Sequence, residues 1–126
     1  MIKILGEDLN FDKDQAAKMA TPFGGGVARF GTICGALVGG AMALGFCYGR
    51  TQAEEKEKRE QTYGKVQEML KEFQKDFGTI QCQGLIQLNL MDPADRQKFQ
   101  DQKLINRCSQ FVAKTAEKAR GLVKEK

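Results

Sequence analysis

Between Phe30 and Gly49 the chain runs 20 residues without a charge, flanked by Arg29 and Arg50. Apolar positions inside this run do not alternate, and the run is too long for an ordinary strand. It contains no proline. The pattern predicts a helix over about 27–49, although each interior glycine costs a helix about 1 kcal/mol. The glycines are ordered: Gly31, Gly35 and Gly39 lie four apart, and so do Gly45 and Gly49. On a helix that spacing leaves a groove without side chains, into which another backbone can settle.

The neighbouring segments show the period of amphipathic helices. "NFDKDQAAKMATPF" predicts a short helix capped by Asp12, with Gln15 three residues on as in a capping box and Phe11 placed as a hydrophobic staple. Pro22 keeps Thr21 out of the helical region, and Gly24, Gly25 and Gly26 then make a turn. Over 52–77 the first half is solvated charge. The second half places Tyr63, Val66, Met69, Leu70, Phe73 and Phe77 on one stripe, with Gly78 as the C-terminal cap. "TIQCQGLIQLNL" predicts a short helix with Cys82, Leu85 and Ile86 on one side. Asp92-Pro93 is a helix start. The last helix carries Leu104, Ile105, Cys108, Phe111, Val112, Thr115, Ala119 and Leu122 on one face. No repeat, linker or convincing strand breaks the series. The expectation is a single all-α domain over 1–126: a compact bundle of about five helices around the central glycine-rich helix.

The uncharged run has rival readings. Its length suits a single membrane span, and its glycine spacing is a membrane packing device. Against a span, the glycines lower its hydrophobicity, and the stripes over 63–77 and 104–122 need a core to cover. A buried central helix supplies that core. A Walker phosphate loop needs G-x-x-x-x-G-K-[ST], and no lysine follows here. A weaker anion site remains at Gly24, Gly25, Gly26 and Arg29, where a glycine turn would lead into a helix start. Its structural counterpart is a turn that lets two helices cross.

Charge narrows the partners. The net charge is +4, and acids and bases interleave in "QAEEKEKREQ" and in the C-terminal tail. A nucleic-acid binder clusters its Lys and Arg, so no nucleic-acid partner is expected. The chain has no histidine, which removes the commonest general base and any Ser-His-Asp triad. No CxxCH occurs, so no c-type haem motif is written. No secretory leader is legible in "MIKILGEDLNFDKD", and the default is cytoplasmic with reduced thiols.

The chemistry rests with Cys34, Cys47, Cys82 and Cys108. Each could be inert packing, because cysteine behaves as a small hydrophobe. Cys34 stands apart, near a helix start after a glycine turn. A helix N-terminus lowers a thiol pKa and favours a nucleophile or a metal ligand. Cys34 and Cys47 on one helix are separated by about 20 Å of rise and about 220° of rotation, so they cannot share a site. Cys82 and Cys108 come from other helices and can reach Cys34. Helix geometry thus permits a site of Cys34, Cys82 and Cys108 with Cys47 outside it, although three dispersed cysteines are not a specific motif on their own.

The stretch "ATPFGGGVARFGTICGALVGGAMALGFCYGR" resembles the signature of the C_GCAxxG_C_C family of redox-active proteins. Its glycine turn precedes a CGAxxG motif, here Cys34-Gly35-Ala36-Leu37-Val38-Gly39. "FQKDFGTIQC" and "CSQFV" match the later cysteines, Cys82 and Cys108, and the resemblance runs from about Asn10 to Val112. The family's first cysteine, about one helix before the glycine turn, has no counterpart in this sequence. The resemblance implies a small prokaryotic protein whose dispersed cysteines are redox-active or bind a cofactor. For this chain that means Cys34, Cys82 and Cys108 as a thiol/disulfide couple or as ligands of iron or an iron–sulfur cluster, with a redox partner protein. Soft thiolates select such metals. Two other expectations stand beside it: a helical interaction module with inert cysteines, and a single-span membrane protein through 30–49. The glycine groove at 45–49 adds the expectation of a homodimer.

Overall fold

The computed structural model describes residues 11–124, so the stretch 1–10, upstream of which the family's first cysteine would be sought, lies outside the described residues. Six α-helices follow within it: α1 (Lys13–Ala20), α2 (Gly35–Tyr48), α3 (Lys56–Phe77), α4 (Cys82–Ile86), α5 (Pro93–Asp101) and α6 (Ile105–Lys124). The all-α bundle expected from the pattern is what forms. Its centre is α2, packed on α3 and α6, which also pack on each other.

The helix ends follow local chemistry. Asp12 accepts hydrogen bonds from the amides of Asp14 (3.0 Å) and Gln15 (3.2 Å), satisfying two donors that a helix start leaves open. Phe11 packs its ring on Phe46 of α2, at 4.9 Å between centroids, and so ties α1 to the central helix. Gly78 ends α3 with φ +86°, a left-handed cap that glycine adopts without a Cβ penalty. Asp92 accepts from the Ala94 amide at 2.9 Å with Pro93 behind it, starting α5.

The core lies where the three long helices meet. Leu37, Ala43 and Leu44 of α2 are fully enclosed among Met69 and Phe73 of α3 and Phe111, Ala116, Ala119 and Leu122 of α6. Phe73, Phe77 and Phe111 stack as tilted and edge-on pairs, with centroids 4.7–5.7 Å apart. Thr115, a buried polar side chain, donates its hydroxyl to the Phe111 carbonyl at 2.8 Å. Gly40 marks the closest approach. A Cβ there would lie 2.7 Å from Met69 Sδ and 2.9 Å from Thr115 Cγ2, so a bare backbone is what lets α3 and α6 close on α2.

Several sequence expectations change. The central helix begins at Gly35, and residues 27–34 are not helical. Gly31 therefore belongs to the turn and not to a helical groove. The predicted last helix is two helices, because Lys103 takes φ +52° and breaks α5 from α6. A short antiparallel pairing exists where no strand was expected, joining Ile33 to Gln81. The preference for a buried central helix over a span is consistent with the structure: no helix among the described residues is long and apolar enough to cross a membrane. At 14 residues α2 rises about 21 Å, short of the roughly 30 Å hydrocarbon layer.

Candidate functional site

The turn before α2 is the unusual backbone of this molecule. Gly25, Gly26, Val27, Ala28 and Arg29 all have φ between +50° and +72°. Only glycine takes that region freely, and a β-branched residue there is a genuine outlier. The conformation is held by the turn's own hydrogen bonds: the Ala28 amide to the Pro22 carbonyl (2.8 Å), Arg29 to Gly24 (3.2 Å), Gly31 to Gly25 (3.1 Å) and Thr32 to Gly26 (2.9 Å). The Thr32 hydroxyl adds a second bond to the Gly26 carbonyl at 2.7 Å.

This turn is pinned against the start of α4. The Cys34 amide donates to the Ile80 carbonyl (2.8 Å), the Cys82 amide to the Thr32 carbonyl (2.6 Å) and the Gln83 amide to the Gly31 carbonyl (3.1 Å). These bonds flank the Ile33–Gln81 pair. Side chains alternate along paired extended chains, so Cys34 and Cys82, each one step past that pair, leave the same face as diagonal neighbours. Gly26 makes the fit close. A Cβ on it would sit 2.6 Å from Cys82 Cβ and 2.7 Å from the Thr32 nitrogen.

Cys108 arrives from the first turns of α6. All three thiols line one pocket of about 670 Å³, together with Gly24, Gly25, Gly26 and Arg29 of the turn. Every residue named from sequence as a redox or anion candidate thus borders the same space. Cys47 is not in its lining; it sits near the far end of α2, half-buried against the core. Ile86, Leu90, Phe99, Ile105 and Val112 form the apolar wall, and Arg96 of α5 adds a second cation. Sequence reasoning missed Arg96. Nothing in its local pattern distinguishes it from any solvated helix arginine, and only the turn between α5 and α6 brings it here.

The thiols are not poised as thiolates. Burial pushes the Cys34 thiol up, and the amides of Ala36 and Leu37 in the first turn of α2 only partly offset it. The helix start expected to acidify Cys34 is present, since Cys34 is the N-cap of α2, but loss of water outweighs it. Cys82 is pushed up from 9.0 to about 11, first by burial and then by the neighbouring Cys34 and Cys108 sulfurs. Cys108 is raised by burial and by Cys34, while Arg107 pulls the other way. The three groups sense one another electrostatically, so ionising one resists ionising the next.

Two expectations about ligands meet the geometry differently. The helix meant to lend its dipole to the glycine turn starts only at Gly35, and the amides of residues 27–32 donate to the chain's own carbonyls. Of the proposed anion site, only the Arg29 side chain remains to offer a charge. For a metal, the described residues contain no group of three or more Cys, Asp or Glu side chains arranged to hold an ion. Three of the four cysteines border one pocket, whereas iron–sulfur clusters are commonly held by four thiolates. Among the described residues, then, no metal-holding group is formed, and three thiols bordering one pocket are what the site offers.

A family model described as putative redox-active protein (C_GCAxxG_C_C) matches residues 1–122 of the chain. Neither a curated protein nor a solved structure matches it.

Proposed function

Because the chain belongs to the C_GCAxxG_C_C redox family, we propose that Cys34 and Cys82 form a reversible dithiol/disulfide couple, with Cys108 as a third thiol beside them. The observation that carries this reading is the antiparallel pairing next to the two cysteines, which fixes them as diagonal neighbours on one face. Diagonal positions lie about 7–8 Å apart at Cα, against about 4.4–6.8 Å in a disulfide, so a small approach of the turn closes the bond. Oxidation removes two electrons and two protons from the pair and forms one S–S bond. A reducing protein partner of the cytoplasm would return them. Cys34, as the more buried thiol, resolves; Cys82, half-exposed to the pocket, meets the oxidant.

Thiol counting on anaerobically reduced and on mildly oxidised protein tests this. Two thiols per chain should disappear, and peptide mapping should find Cys34 joined to Cys82. The link should vanish in Cys34→Ser and persist in Cys108→Ser and Cys47→Ser. Four thiols unchanged by oxidation in the folded protein would sink the couple.

A further inference from the structure

The charges around the thiols carry a statement about what else enters the pocket. Among the described residues its lining contains two arginines, Arg29 and Arg96, and no carboxylate. Among the described residues neither arginine pairs with an acid. The nearest acids of α5 are otherwise engaged: Asp92 caps the helix, and Asp95 accepts from the Asn89 amide at 2.8 Å. Arg29 is held at the pocket by a strained turn, with its own Cα only 2.9 Å from where a Gly25 Cβ would stand. The same lining carries the apolar residues Ile86, Leu90, Phe99, Ile105 and Val112, and Ile105 is 60% exposed. A volume of about 670 Å³ is in the range that holds a small organic molecule.

We propose that this pocket binds a small organic disulfide, or its thiol, that bears a carboxylate. Arg29 and Arg96 hold the anion, the apolar wall holds the carbon skeleton, and the sulfur is presented to Cys82. The proposal deepens the dithiol reading by naming its co-substrate class and rests on it for the chemical step. In that step the Cys82 thiolate attacks one sulfur of the bound disulfide, whose S–S bond breaks and releases one ligand thiolate. Cys34 then attacks the Cys82 sulfur of the mixed disulfide and expels the second ligand thiolate. One protein S–S bond has formed, one ligand S–S bond has been reduced by two electrons, and the two cysteine protons pass to solvent or to the departing thiolates. Guanidinium groups pair with carboxylates through fixed forks of donors, which sets the orientation as well as the attraction.

The test uses the reduced full chain, with dithiobis(nitrobenzoate), which carries two carboxylates, against neutral dipyridyl disulfide. The anionic probe should react with saturating kinetics. Arg29→Gln and Arg96→Gln should each lower its second-order rate about five- to tenfold, in line with the loss of a charge-assisted contact, and leave the neutral probe's rate unchanged. A parallel calorimetric titration of Cys82→Ser with an unreactive carboxylate-bearing thioether reads binding without chemistry. It should give heat that Arg96→Gln abolishes. Equal loss with both probes, or no discrimination by either arginine, would overturn the anionic ligand. Thioether binding by a chain that never forms its internal disulfide would instead retain the pocket assignment and overturn the dithiol couple.

Discussion

At the scale of single residues, the pocket withholds ionisation from its sulfurs. Burial, full at Cys34 and partial at Cys82 and Cys108, raises all three thiols, and neighbouring sulfurs raise Cys82 and Cys108 further. The sign of the pH effect follows. A folded pKa raised from 9.0 to about 11 at Cys82 means that the native state keeps a proton the unfolded chain gives up first. The stability from that neutral thiol is whole below pH 9 and is lost as pH rises through about 11. Urea unfolding of reduced protein across that range should show a falling midpoint, and Cys82→Ser should flatten the fall. The same protonation makes thiol exchange climb with pH through neutrality and well into the alkaline range. It also disfavours stabilising the reduced form as thiolate, the device of strongly oxidising dithiols.

At the scale of elements, the glycine turn and the start of α4 act as one piece. Gly26 is its tightest joint, with φ +68° and no room for a Cβ against Cys82 and Thr32. Gly26→Ala adds both a left-handed cost of about 1 kcal/mol and a clash, and is expected to lower stability by about 2 kcal/mol or more. Its more telling effect is on sulfur pairing: formation of the Cys34–Cys82 link should slow markedly, while total thiols in the reduced state stay at four. Chemical unfolding and the rate of disulfide formation measure the two effects separately. Much at this scale was legible in advance. Asp12, Gly78 and Asp92 announce helix ends by their own backbone chemistry, and the stripes over 63–77 and 104–122 mark the faces that Met69, Phe73, Phe111 and Leu122 bury. Residues 27–34 were not legible. Val27, Ala28 and Phe30 have the apolar composition of a helix, and no local rule sends Val27 to φ +66°. That conformation is imposed by hydrogen bonds to Pro22 and to the α4 start, partners invisible to periodicity. The same holds for the site: the three cysteines could be proposed from the helices that carry them, whereas Arg96 needed the fold.

At the scale of the whole molecule, the far end of the bundle has its own clasp. Tyr48, last residue of α2, is buried and donates its hydroxyl to the Leu122 carbonyl at 2.8 Å and the Val123 carbonyl at 3.2 Å. Those carbonyls belong to the last turn of α6, where a helix runs out of internal donors. Tyr48→Phe should cost about 1 kcal/mol and speed amide exchange at the end of α6, leaving the thiol pocket at the other end of α2 untouched. Native-state hydrogen exchange read by mass spectrometry resolves the two ends.

The pairing of residues 31–34 with 80–83 has a consequence for the chain's entropy. Cys34 and Cys82 are 48 positions apart, with the whole of α2 and of α3 between them. A bond between them closes that whole segment into a ring. In the chain-entropy description such a ring removes about 4 kcal/mol of freedom from the unfolded ensemble. The electron state of two sulfurs would then set how tightly the central hairpin of the bundle is kept: oxidation locks α2 to α3 through their outer ends, and reduction returns that hairpin to packing alone.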